Sequence, residues 1–140
     1  MSFKEKSVLG SLILTVIVFS YYFIKVFRIT ETSVLDIATG TFYFIGAVVL
    51  MVLLDIILHI VLTISNKHES NQINDERDTL IELKATRISY YVLVFGIFSV
   101  GISLIFSYNP LFLVNLILLF FVIAEIVGFS MQLYFYRKGV

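Results

Sequence analysis

Hydrophobic positions in this chain gather into four long runs that polar residues hardly interrupt. Residues 8–24 hold no charge. If Lys25 snorkels, the first predicted span covers 8–27, the roughly 20 residues needed to cross about 30 Å of hydrocarbon. The other predicted spans are 41–64, 88–108 and 111–136. No small-residue cleavage site follows the first run, since Ser20 leads into Tyr21, Tyr22 and Phe23, so it reads as a span rather than a signal peptide.

The polar connections differ in kind. Residues 28–40 form a short link in which Ser33, with Asp36 three positions on, resembles a capping box, so the second helix is predicted to start near Val34. Asn109-Pro110 predicts a tight turn, because proline disfavours helix at the residue before it, and spans three and four are expected to be antiparallel neighbours. Residues 66–87 are the exception: nine of the chain's twenty charged side chains fall there. The expected fold is all-α, an integral membrane four-helix bundle in a single domain over 1–140. Two helical hairpins are joined by a charged loop and helix over 65–87.

Composition agrees. The chain is 59% hydrophobic and 14% charged, against about 25% charged for a soluble domain. It has no cysteine, which removes disulfides, thiolate metal sites and a cysteine nucleophile. No nucleophile–base motif or phosphate-binding glycine loop is present, so the chain is expected to be no enzyme and to need no cofactor. Charge is balanced, and the charged segment mixes both signs rather than running in Lys and Arg, which argues against direct nucleic-acid or lipid-headgroup binding.

Basic residues predict the orientation. Four crossings put Lys4, Lys6, Lys67, Arg77, Lys84, Arg87, Arg137 and Lys138 on one side, and only Lys25 and Arg28 on the other. The richer side, with both termini, is expected to be cytoplasmic, in the cell membrane of a prokaryote. All eight tyrosines fall near span ends, where a ring with a polar tip prefers to sit.

Three ionisable groups fall inside spans: Asp55, His59 and Glu125. Such groups are expected to face the bundle interior and to find partners. Asp55 and His59 are four apart and share a helix face. Asp55 and Glu125 are each the fifteenth residue of a span running in the same direction, which predicts similar depth. Asn115 and Gln132 lie roughly toward the Glu125 face. The set reads as interhelical hydrogen-bond glue, as a proton or small-cation pathway, or, since these are also ligand types for zinc or iron, as a metal site. In span three, Gly96, Ser99, Ser103 and Ser107 form a small-residue stripe that lets another helix approach closely, either a span of the same chain or a second copy.

Within the charged segment, Asn74 is placed to cap a helix whose first turn holds Asp75, Glu76 and Asp78, where negative charge suits the helix dipole. No glycine or proline follows until Gly96, so one helix is predicted from about Asp75 through Ser107, standing two or three turns out of the membrane. Its Asp75, Glu76, Arg77, Lys84 and Arg87 suit electrostatic matching, and Leu80 and Leu83 suit a small apolar anchor. DERDTLIELKATR resembles the segment D-E-R-x-x-x-I-x-x-K-A-x-R of small prokaryotic multi-span membrane proteins of uncharacterised function; Asp75, Glu76, Arg77, Ile81, Lys84, Ala85 and Arg87 match. Some of those families are associated with small helix-turn-helix regulators. The resemblance thus implies a membrane protein that holds a cytosolic partner such as a transcription regulator. The expected function is a non-enzymatic regulatory or adaptor protein acting through this helix. The alternative is a small transporter or proton-coupled channel built on Asp55, His59 and Glu125.

Overall fold

The computed structural model describes residues 3–32, 37–65, 76–106 and 109–138, with no account of the side chains of 3, 27–32 and 37–38. Four helices account for all of these except Asn109: α1 (Phe3–Thr32), α2 (Ile37–Ser65), α3 (Glu76–Phe106) and α4 (Pro110–Lys138). Each is long and apolar enough to cross a membrane, and the chain is a multi-pass helical bundle. The predicted cap at 33–36, Asn74, Asp75 and Ser107 lie outside the described residues.

The helices alternate in direction. Lys4 near the start of α1, Asp78 near the start of α3 and Tyr136 near the end of α4 meet at one end of the bundle, called here the termini side. The α3–α4 turn marks the other end. Pro110 is the first residue of α4, where its missing N–H costs nothing because that position has no intrahelical partner. Asn109 caps the helix: its Oδ1 accepts from the N–H groups of Leu111 at 3.0 Å and Phe112 at 3.4 Å.

Packing follows the order α2–α1–α4–α3. The α3–α4 interface is the most extensive, and α1 packs on α2 to one side and on α4 to the other. Two close approaches fix α3 on α4. Gly96 lies under Phe120, and Gly128 faces Ser89, whose Oγ donates to the Ala124 carbonyl at 2.8 Å. Phe19, Tyr22 and Val26 of α1, Ala47 of α2, and Leu118 and Val122 of α4 form the central apolar cluster. α2 and α3 share no comparable interface, so the row is open between them.

The 76–87 segment is packed against its neighbours, which its local sequence did not indicate. The helix does continue without a break from Glu76 into the span. However, Ile81 and Ala85 are fully buried, and Asp78 is tied to both α1 and α4. α1 and α4 extend beyond the predicted spans and accompany α3 here, because a helix with an apolar residue every fourth position gains more by packing than by standing alone in water.

Candidate functional site

Two places gather the chemistry-bearing side chains. The first is the seam between α1 and α2. Ser7, Ser11 and Thr15 of α1 repeat at i, i+4 and i+8 and are buried. Asp55 and His59 of α2 meet this stripe: Ser11 Oγ donates to Asp55 Oδ1 at 2.6 Å, and Ser7 Oγ lies 3.2 Å from His59 Nδ1. Thr15 turns its hydroxyl back to the Ser11 carbonyl. Asp55 Oδ2 and His59 Nε2 are 3.6 Å apart, too far for a hydrogen bond. The Cβ side of Gly10 faces Leu58, so the glycine lets the helices close on these polar contacts.

Glu125 is half-buried on α4. Asn115 is separate. It sits toward the far end, where its Oδ1 accepts from Tyr22 Oη at 2.7 Å and its Nδ2 donates to the Leu111 carbonyl. Gln132 is half-buried, two turns from Glu125 toward the termini side. His59 is at the rim rather than inside, its side chain 52% exposed. Among the described residues no three His, Cys, Asp or Glu side chains converge as a protein-held metal would need. No buried side-chain polar atom there lacks a hydrogen bond. This arrangement joins helices: Asp55 and His59 of α2 are each met by a hydroxyl on α1. The four-residue spacing of Ser7, Ser11 and Thr15 is readable in the sequence, but nothing there pairs them with Asp55 and His59.

The small-residue stripe of α3 divides. Gly96 serves the contact with α4, where a Cβ would lie 2.5 Å from Phe120. Ser99 and Ser103 donate to the carbonyls of Phe95 and Ser99 in their own helix.

The second place is the termini side of α3. Glu76, Leu80, Leu83 and Arg87, spaced four, three and four apart, share one outward face, with Arg77 and Lys84 beside it. All six are exposed, Leu80 by 56% and Leu83 by 62%. Ile81 and Ala85, opposite, are buried. Asp78 lies on the inner side. Its Oδ2 is 3.0 Å from Lys4 Nζ, and its carboxylate accepts from the Tyr136 hydroxyl, with Glu82 and Glu5 nearby. One carboxylate thus joins three helices and sets the rotation of α3 that turns the leucines outward. Replacing Asp78 with alanine is expected to cost about 1–2 kcal/mol, the range for a partly exposed charged hydrogen bond with its ion pair. Amide exchange should rise in 4–8 and 77–81 together. Unchanged exchange in α1 would show that Asp78 ties nothing there.

In comparisons with known proteins, the chain matches no family, no curated relative and no solved structure.

Proposed function

We propose that the protein is a non-enzymatic membrane adaptor or regulator whose α3 helix, over 76–87, docks a soluble partner at the cytoplasmic face of a prokaryotic cell membrane. One observation carries the reading: Leu80 and Leu83 stand exposed among Glu76, Arg77, Lys84 and Arg87. Exposed leucines inside a bilayer need no explanation. These two are followed on the same helix by Lys84 and Arg87, charges that belong at the aqueous interface or beyond it, so the leucines face water. An apolar pair ringed by both signs of charge is the anatomy of a small docking site, with the leucines as anchors and the charges as selectors. The resemblance of the 75–87 segment to those multi-span proteins supports a cytosolic regulator as the class of partner. The excess of basic residues at the termini side supports that side being cytoplasmic.

The spans have a second reading, as a proton-coupled pathway built on the intramembrane Asp55, His59 and Glu125. Comparison in cells separates the two. A photo-cross-linking residue at Leu80 or Leu83 should trap a soluble protein, and one at Phe98 should not. Reversing charge at Glu76, Arg77 and Glu82 should abolish both the adduct and the cellular phenotype. Replacing Asp55, His59 and Glu125 with Asn, Gln and Gln should leave them. A cysteine at Lys84 should resist an impermeant reagent in intact cells. The adaptor reading fails if the membrane variant alone loses the phenotype, and the pathway then takes its place.

A further inference from the structure

A slot of about 270 Å³ lies between α1 and α2, toward the end of the bundle away from the termini side. Tyr22 Oη donates to Asn115 near the start of α4, so Lys25, one turn further along α1, lies level with the Asn109-Pro110 turn. Tyr21, Lys25, Phe42 and Tyr43 form the mouth of the slot, and Val18 and Leu50 line its deeper part. Between Tyr43 and Leu50, α2 presents Gly46 to it. A Cβ on Gly46 would meet nothing within 4 Å, so the slot is open there.

Mouth and walls differ in chemistry. Lys25 is exposed at the rim, and its Nζ lies 5.6 Å from the centre of the Tyr21 ring. That cation–π contact holds the ammonium over the mouth, at the level where lysines and tyrosines meet headgroups. From Lys25 down to Val18 the slot follows two turns of α1, about 10 Å. One leaflet offers about 15 Å of hydrocarbon, so the walls lie at the depth of acyl chains. The volume falls below the roughly 300–1,000 Å³ of small-molecule pockets, which suits part of one chain. Water in apolar walls at this depth would lack partners.

We propose that the slot binds an anionic phospholipid of the leaflet away from the termini side. One acyl chain lies between α1 and α2, and the headgroup sits against Lys25. Charge selects the lipid. A zwitterionic headgroup carries its own cation, which competes with Lys25 for the phosphate, whereas an anionic headgroup leaves the phosphate to the lysine. One lysine near a bilayer surface is worth about a fivefold preference for the anionic lipid. The site is at the opposite end from the mixed-charge segment and stands apart from the docking role of α3.

The chain has no tryptophan, so a single one reports only its own surroundings. The full chain is placed in vesicles of phosphatidylcholine and phosphatidylglycerol with the same chains, one or the other brominated to quench tryptophan. Emission from Phe42→Trp should show about a fivefold preference for phosphatidylglycerol. Phe98→Trp, exposed on α3, should show none. Adding Lys25→Gln to Phe42→Trp should bring the ratio to about one, and Lys25→Arg should keep it. Gly46→Leu, which fills the slot where a Cβ meets no protein atom, should also lower the ratio. Millimolar inorganic phosphate should leave it unchanged. Equal quenching of Phe42→Trp by the two lipids overturns the proposal, as does a preference that survives Lys25→Gln or appears equally at Phe98→Trp. Loss of the preference to inorganic phosphate would mean that the site takes a free anion instead.

Discussion

Ile81→Ala is expected to lower the unfolding free energy by about 2–5 kcal/mol, the range for truncating a buried aliphatic side chain to alanine. Leu80→Ala, one residue away, should change it by less than about 0.5 kcal/mol, as at most exposed sites. Both carry a four-carbon side chain on the same turn of α3, and both belong to the charged segment. The difference lies in where they point: Ile81 is 1% exposed and Leu80 56%. A cavity at Ile81 cannot collapse easily, because Ala85 beside it is also buried and Asp78 holds the first turn of the helix in place. Functionally the ranking should invert. Leu80→Ala should lose the soluble partner while the bundle stays intact, whereas Ile81→Ala should lose stability first. Denaturation in a mild detergent, followed by circular dichroism, measures the stability half. Equal losses for the two variants would mean that the rotation of α3 described here is wrong.

The second large effect is expected at Gly96. An alanine there would put its Cβ 2.5 Å from both Cβ and Cγ of Phe120, closer than packed carbon atoms come. Those atoms are near the backbone of α4 and cannot swing aside as the tip of a flexible side chain would. The helices must therefore separate across the most extensive interface in the molecule. Overpacking of this kind costs about 1–3 kcal/mol. Gly101→Ala is the control, since a Cβ there meets nothing within 4 Å. It should be neutral or stabilise by up to about 1 kcal/mol, the difference in helix propensity. If Gly96→Ala unfolds no earlier than Gly101→Ala, α3 and α4 do not approach as closely as described. The same pair bears on the small-residue stripe: a loss of monomer stability at Gly96 identifies it as a contact within the chain.

Much of the architecture was legible because lipid leaves the backbone few choices. An apolar run of about 20 residues must form a helix, since nothing in the hydrocarbon will bond a free N–H or C=O. Hence the four helices, the turn at Asn109-Pro110 and the unbroken passage of α3 from Glu76 into the membrane could be read along the chain. The pairing of Asp55 with His59 was legible too, because i and i+4 face each other on any helix.

Only the tertiary structure decided which helices touch. Apolar residues on every side of a span do not say which side meets protein, because lipid and a neighbouring helix are equally apolar. So neither the α2–α1–α4–α3 order nor the opening beside α2 could be read from hydropathy. Nor could it be known that Asn115 belongs with Tyr22 rather than Glu125, or that the hydroxyls of Ser7 and Ser11 answer Asp55 and His59. The charged segment shows the same division. Its helix and its mixture of charges are properties of the local sequence. Which of its residues are covered depends on α1 and α4, distant in the chain, arriving beside it. That arrival turned Asp78, Ile81 and Ala85 inward and left Leu80 and Leu83 facing out.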